Sequence, residues 1–161
     1  VQTIEHGDGG TPEVFALMRD SGVALCPTLA AGDAIMQYRG WQKGTESDPA
    51  RIAAKKISFK QAQDAGVTIC AGGDVGVFVH GDNVRELIMM EEYGMSPLQV
   101  IQSVTSVNAR VFGLQDRGHI AAGAKADLIV VDGDPLEDLQ ALRNVLLVMK
   151  NGKIYRDELR R

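Results

Sequence analysis

Two short apolar runs in this chain each end at a side chain that is able to bind a metal. Residues 1–5 lead into His6, and residues 67–71 lead through two glycines into Asp74. A neutral imidazole and a carboxylate are both ligands for Zn²⁺ and similar ions. A bound metal lowers the pKa of its water from about 15.7 to about 7, and a nearby carboxylate is able to accept the proton. His6 and Asp74 therefore predict half of a hydrolytic metal site.

Spacing alone also allows simpler roles for both residues. A single histidine after a strand commonly makes a hydrogen bond within its loop. The run Gly72-Gly73-Asp74 is also typical of a turn in which the aspartate bonds to nearby backbone. Both interpretations stay open on spacing alone, and the metal needs further support.

The order of the surrounding elements explains how the two residues would meet. Apolar strands are predicted at residues 1–5, 23–26 and 67–71, separated by helices that begin near Thr11-Pro12 and Asp48-Pro49. This alternation predicts an α/β fold with parallel strands and helical crossovers. Functional groups in such sheets gather at the carboxyl ends of the strands, where His6 and Asp74 are expected.

The character of the chain changes towards its end. Helices are predicted at about residues 83–93, 97–103 and 106–112, and short strands at about 126–132, 145–150 and 153–155. Asn151-Gly152 between two strands is a strong signal for a two-residue hairpin. We therefore expect a small antiparallel unit after the α/β part, with one domain over residues 1–114 and a second over residues 115–161.

Composition excludes several classes of protein. The chain has 161 residues, 45% of them hydrophobic and 24% charged, which suits one ordinary globular core. A net charge of -4 gives no attraction for phosphate backbones, so nucleic acid is not expected as a partner. The sequence contains no run of about 18 apolar residues, so no membrane-spanning helix is expected. Cys26 and Cys70 each end an apolar run and are expected to be buried reduced thiols in a cytoplasmic protein.

A series of motifs, weak one by one, occurs in a specific order over nearly the whole chain. They are Ile4-Glu5-His6-Gly7, Ala71-Gly72-Gly73-Asp74-Val75-Gly76, His80-Gly81-Asp82-Asn83 with Glu86-Leu87, Gly94-Met95-Ser96-Pro97, Ala109-Arg110-Val111-Phe112-Gly113-Leu114, the segment from Gly123 to Leu136, and Val148-Met149-Lys150-Asn151-Gly152-Lys153. Together they resemble the C-terminal part of the amidohydrolase superfamily, in its imidazolonepropionase-like and Xaa-Pro dipeptidase-like branch.

The resemblance implies strands 6 to 8 of a (β/α)₈ TIM barrel, followed by the C-terminal strands of a small β-sandwich domain. It implies that His6 is a metal ligand and that Asp74 both binds metal and acts as the general base. The implied cofactor is a divalent metal, Zn²⁺ as one or two ions. His80 is implied to contact substrate or an outer-shell group, whereas Asp127 is implied to be structural and His119 to be no ligand.

The family pattern also requires ligands that this chain does not contain: a His-x-His pair, a carboxylated lysine or acid, and a further histidine. Val1 to His6 lack an initiator Met and a signal pattern, so they predict a strand entered in mid-protein. Three strands alone would leave open sheet edges. We expect the N-terminal half of the same enzyme as a partner, homo-oligomer formation, and no activity from this fragment alone. The chain differs from the family pattern at Gly73, the residue before Asp74, where a threonine is frequent in the family.

The expected activity is hydrolysis of amide bonds in small substrates such as Xaa-Pro dipeptides or N-acyl amino acids. Barrels of this kind vary their substrates through their loops. A cyclic-amide or organophosphate ester hydrolase is therefore an alternative, with residues 28–47 shaping the pocket. A third possibility is a catalytically inert half-barrel that needs a complementing chain.

Overall fold

The computed structural model describes residues 1–159, which divide into two compact units. The first unit is Val1–Met95, and the second begins at Ser96. This division falls earlier in the chain than the predicted domain boundary after residue 114. The two units are described separately below.

The first unit is built around parallel strands joined by helices, as the sequence predicts. Strand β1 (Thr3–Glu5) leads through helix α1 (Pro12–Asp20) to strand β2 (Ala24–Cys26), and the two strands pair in parallel. The predicted third strand is shorter than expected, because only a single parallel bridge joins Leu25 to Ile69. The crossover order is therefore confirmed, and the third segment takes its place in the sheet through that bridge.

Three more helices complete the first unit. Helix α2 (Leu29–Tyr38) lies within residues 28–47, the segment proposed above to shape the pocket, and α3 (Ala50–Asp64) and α4 (Val84–Glu92) follow. Helix α1 is capped as predicted, since the Thr11 side chain accepts from the backbone N–H of Val14 at 3.4 Å. The first unit's core contains buried side chains from the strands and all four helices: Phe15, Met18, Leu25, Leu29, Ala34, Ile52, Phe59, Ala62, Leu87, Met89 and Met90.

The two cysteines form a disulfide, so the prediction of reduced thiols is wrong. Cys26 ends β2, Cys70 follows the bridge residue Ile69, and their Cα atoms lie 4.8 Å apart. The sequence placed each cysteine at the end of an apolar run, but only the pairing of those runs brings the two sulfurs together. The cytoplasmic location expected above stays a prediction.

Helix α2 receives its N-terminal cap from a distant part of the chain. Glu86 in α4 is 1% exposed, and its carboxylate accepts from the backbone N–H groups of Leu29 at 3.0 Å and Ala30 at 2.7 Å. The first N–H groups of a helix have no partner inside the helix and attract negative charge. Burial nevertheless dominates, and it raises the pKa of Glu86 from 4.5 to about 7.

A second buried acid ties α2 to the same region. Asp33 is fully buried, and its carboxylate contacts the Arg85 guanidinium and accepts from the Gln37 side chain at 2.6 Å. The ammonium group of Lys43 lies 3.6 Å from its second oxygen. Since Arg85 directly precedes Glu86, two consecutive residues of α4 hold α2 in place.

The second unit starts with helices and ends in a small antiparallel sheet. Helix α5 (Pro97–Gln102) has a capping box in which Ser96 and Gln99 bond reciprocally, and it continues through a π-helical turn (Ser103–Val107) into α6 (Asn108–Val111). Strands β3 (Leu128–Val131), β4 (Val145–Lys150) and β5 (Lys153–Asp157) follow, paired in that order. A short 3₁₀ helix (Leu139–Arg143) precedes β4.

The predicted hairpin between β4 and β5 is confirmed. Asn151 and Gly152 both have positive φ, at 50° and 75°, as a two-residue turn of this kind requires. Asp127 accepts from the backbone N–H of Asn151 at 2.6 Å and pairs with Arg117 at 3.0 Å. These contacts agree with the structural role expected of Asp127. Across residues 1–159, no helix is both long and apolar enough to cross a bilayer.

The raised pKa of Glu86 predicts a pH-dependent contribution to stability. Between pH 4.5 and about 7 the folded state holds a proton on Glu86 that the unfolded state has released, so stability falls as pH rises through this window. Each pKa unit corresponds to about 1.4 kcal/mol, which gives a loss of roughly 3 kcal/mol in the free energy of unfolding. Denaturant midpoints are measured for wild type and Glu86→Gln across this range: the midpoint of wild type should fall relative to that of the variant as pH increases, because glutamine does not titrate. Parallel profiles would contradict the assignment.

The disulfide gives a second prediction. The bond between Cys26 and Cys70 spans 44 residues. Closing a loop of this length in the unfolded chain stabilises the fold by about 4 kcal/mol in the chain-entropy model. Non-reducing peptide mapping should recover the two cysteine peptides linked, and a reductant should lower the thermal midpoint. Recovery of both peptides unlinked from unreduced protein would show that the bond does not form.

Candidate active site

One cavity of about 590 Å³ in the first unit contains both residues that the sequence singled out. It opens at the carboxyl ends of β1 and β2, and both His6 and Asp74 line it. The remaining lining residues come from β1, the loops after the strands, helices α2 and α3, and Tyr93: Ile4, Glu5, Gly7, Asp8, Thr28, Leu29, Ala31, Gly32, Ile35, Arg51, Ile52, Lys55 and Tyr93. The wall is therefore mainly apolar, with ionisable groups at the strand ends and on α3.

His6 is held by contacts on its backbone and its ring. Its backbone N–H donates to the carbonyl of Cys26 at 3.0 Å, which continues the pairing of β1 with β2. Its Nδ1 lies 2.6 Å from the hydroxyl oxygen of Thr28, the second residue after Cys26. Because Nδ1 is engaged, Nε2 is the ring nitrogen left to bind another group. The neighbouring strand thus fixes both the position and the orientation of the imidazole.

The turn after His6 accepts no side chain at Gly7. Gly7 has a φ of 66°, and a Cβ atom there would lie 2.4 Å from a methyl carbon of Leu25. The carbonyl of Gly7 accepts from the Ser58 hydroxyl on α3 at 3.2 Å. Helix α3 therefore also supports the His6–Gly7 turn.

A cluster of charged groups lies beside this turn. The Lys55 ammonium group contacts the carbonyl of His6 and donates to Asp8 at 2.7 Å, and Arg51 lies 3.5 Å from the same carboxylate. Burial opposes ionisation of Asp8, but the hydrogen bond and charge of Lys55, with the charge of Arg51, hold the pKa of Asp8 below its ordinary value. Beside this turn, two cations therefore surround one anion.

Asp74 reaches the same cavity from the segment after Ile69. It has a φ of 56°, and its carbonyl accepts from the backbone N–H of Val77 at 3.2 Å, which closes a turn. At the preceding Gly73, a Cβ atom would lie 3.1 Å from the Phe78 ring and 3.3 Å from Cβ of Glu86. The neighbours of Gly73 would have to move to admit the threonine that is frequent in the family.

The other two histidines lie away from this cavity. His80 is exposed, and it is not among the residues that line the cavity, so its substrate role stays a prediction. His119 belongs to the second unit, where its Nδ1 lies 3.1 Å from the carbonyl of Arg117. Of the three residues proposed for the site from sequence, the structure brings together His6 and Asp74.

The donor set at the cavity suits part of a metal site. One imidazole and one carboxylate are donors that Zn²⁺ and related ions accept. Residues 1–159 contain no cluster of three or more His, Cys, Asp or Glu side chains placed to hold a metal. His6 and Asp74 therefore fit a divalent cation as two of its ligands, and a complete coordination shell needs further donors.

Sequence reasoning missed three residues that organise the site: Thr28, Lys55 and Glu86. Thr28 was named only as the first residue of the segment that shapes the pocket, and Lys55 lies in the helix predicted to begin near Asp48-Pro49 and was given no role. Glu86 stood within a quoted motif but was given no role. A glutamate beside Leu87 and three further apolar residues on an amphipathic helix was the available signal that this carboxylate is buried.

Known structures share this fold over nearly the full chain. A Xaa-Pro dipeptidase with methionine bound in its active site matches with a TM-score of 0.87, 34% identity and 97% coverage of this chain. A prolidase complexed with N-methylphosphonate-L-proline matches with a TM-score of 0.83, 29% identity and 98% coverage. Ochratoxinase from Aspergillus niger is 27% identical over 168 residues, which is 96% of this chain.

These relatives are longer proteins. The chain spans 40% of the Xaa-Pro dipeptidase, 40% of the prolidase and 34% of ochratoxinase. It has the α/β fold of the C-terminal part of these proteins. The model of the amidohydrolase family matches residues 3–155. Since this match extends over nearly the whole sequence, the chain belongs to the amidohydrolase family.

Proposed function

We propose that the protein containing this chain is a metal-dependent hydrolase that cleaves amide bonds of small substrates such as Xaa-Pro dipeptides or N-acyl amino acids. The observation that carries the proposal is that His6 and Asp74, from two strand ends, line one cavity. Similarity to a Xaa-Pro dipeptidase and to a prolidase supports this substrate class. Matching the three strand segments to barrel strands 6, 7 and 8 belongs to the same proposal.

Each of the two residues has a defined task in this scheme. A bound divalent cation, Zn²⁺ as one or two ions, would polarise the scissile carbonyl and lower the pKa of an attacking water. His6 would hold it through Nε2, because Nδ1 is engaged with Thr28. Asp74 would bind the cation and accept the proton of the water as it attacks. The remaining ligands would come from other parts of the protein.

The cavity walls are compatible with small substrates of this kind. Ile4, Leu29 and Ile52 provide an apolar surface for a side chain or an acyl group, while Arg51 and Lys55 provide positive charge. Xaa-Pro dipeptides and N-acyl amino acids each combine an apolar part with a carboxylate. His80 is retained as a proposed substrate contact from the loop after Asp74.

Substitution of the two proposed ligands tests the scheme in the intact protein. Asp74→Asn keeps the shape of the side chain but removes its basicity, so kcat/KM for an Xaa-Pro dipeptide should fall by about 100-fold or more. His6→Ala should reduce the metal content measured by elemental analysis. His119→Ala serves as the matched control, because His119 bonds within the second unit, and it should change neither quantity. Activity that survives in both Asp74→Asn and metal-free protein would refute the scheme.

A substrate panel separates the proposed class from its alternatives. Xaa-Pro dipeptides, N-acyl amino acids, cyclic amides and organophosphate esters are compared on the intact protein at matched metal loading. We expect the highest kcat/KM for the first two classes, because the apolar and cationic walls match their two halves. A higher kcat/KM on cyclic amides or organophosphate esters would show that the protein is a hydrolase of that class instead. No turnover of any class by the metal-loaded protein would favour the inert half-barrel.

A further inference from the structure

Thr28, the residue before helix α2, does not form the capping hydrogen bond that is usual at its position. Thr28 occupies the N-cap position of α2 but makes no side-chain cap bond, and its φ of 47° is left-handed. Threonine at this position ordinarily accepts from an N–H group of the first turn. Here the hydroxyl oxygen lies 2.6 Å from Nδ1 of His6 instead. The first N–H groups of α2 therefore need another acceptor.

Glu86 provides that acceptor from 57 residues further along the chain. Its two carboxylate oxygens accept separately, one from Leu29 at 3.0 Å and the other from Ala30 at 2.7 Å. These are the two residues that directly follow Thr28. The carboxylate thus fixes the backbone at the point where Thr28 adopts its left-handed conformation.

The same side chain also packs under the other proposed ligand. A Cβ atom at Gly73, the residue before Asp74, would lie 3.3 Å from Cβ of Glu86. Glu86 is therefore adjacent to both loops that carry the site. Glu86 itself does not line the cavity, so it acts through these loops and not on a substrate.

From these contacts we infer that Glu86 is a positioning residue, which caps α2 so that the Thr28 hydroxyl remains available to orient His6 for its metal. This inference rests on the proposed function. A carboxylate buried at 1% exposure carries a desolvation cost that an apolar side chain of similar size would not. Helix α2 could have been capped locally by Thr28 at no such cost. The arrangement is explained if the hydroxyl is required elsewhere.

The test measures Zn²⁺ affinity in the intact protein by competition with a chelating indicator, alongside the thermal midpoint of the metal-free form. The variants are Thr28→Val, Thr28→Ser, Glu86→Gln and the double variant Thr28→Val with Glu86→Gln. Groups that orient a metal-binding histidine typically change metal affinity by about 10- to 100-fold. We expect Thr28→Val and Glu86→Gln each to weaken Zn²⁺ binding by about 10-fold or more, and Thr28→Ser to stay near wild type.

The double variant distinguishes positioning from general destabilisation. If Glu86 acts through Thr28, the double variant should lose less affinity than the product of the two single losses. Leu87→Ala, a buried position on the same helix, is the matched control. It should lower the thermal midpoint without weakening Zn²⁺ binding. Should Glu86→Gln fail to fold, Glu86→Asp, with its shorter reach, takes its place under the same criteria.

Two outcomes would overturn the inference alone, and a third would overturn it together with the proposed function. Unchanged Zn²⁺ affinity in Glu86→Gln with a lowered midpoint would make Glu86 a stability residue only. If the loss of Zn²⁺ affinity in the double variant equals the product of the two single losses, Glu86 does not act through Thr28. If His6→Ala also binds Zn²⁺ as wild type does, the proposed function fails and this inference fails with it. If only His6→Ala and Thr28→Val lose affinity, the function stands and the role of Glu86 is refuted.

Discussion

Backbone hydrogen bonds between parallel strand ends bring the site together. The N–H of His6 donates to the carbonyl of Cys26 at 3.0 Å, and the N–H of Cys70 donates to the carbonyl of Leu25 at 2.9 Å. These bonds place three chain segments side by side with the same direction. His6, Thr28 and Asp74, which follow these segments, therefore lie at the carboxyl ends of the strands and line one cavity. The disulfide between Cys26 and Cys70 links two of the three segments covalently at that edge.

The chain leaves the sheet at these points in conformations that non-glycine residues rarely adopt. His6, Thr28 and Asp74 all have positive φ, at 66°, 47° and 56°. Such conformations cost on the order of 1–3 kcal/mol each and persist only where the surroundings hold them. The most unusual is Thr28, because its β-branched side chain disfavours this region. The contacts of Thr28 with His6 and of Glu86 with the next two N–H groups provide that support.

Three ionisable groups near the strand ends and helix α2, Lys55, Glu86 and Asp33, each contact a charged or hydrogen-bonding partner. Lys55 contacts both the carbonyl of His6 and Asp8, which connects α3 to the turn that carries the imidazole. Glu86 is placed where helix α2 offers two N–H donors, and Asp33 is placed against Arg85 and Lys43. Because α2 begins at Leu29, directly after Thr28, these contacts also restrain the loop that orients His6.

The sequence by itself determined the element order and the two residues most able to bind a metal. The cap at Thr11 and the Asn151-Gly152 turn act over a few residues, so local patterns were sufficient to predict them. Only the tertiary structure decided that Cys26 meets Cys70, and that the Thr28 hydroxyl turns to His6. It alone placed Glu86, 57 residues away, at the start of α2. These contacts depend on which strands are neighbours and on which backbone groups are left without partners when the strands pack. Local sequence patterns reveal neither property.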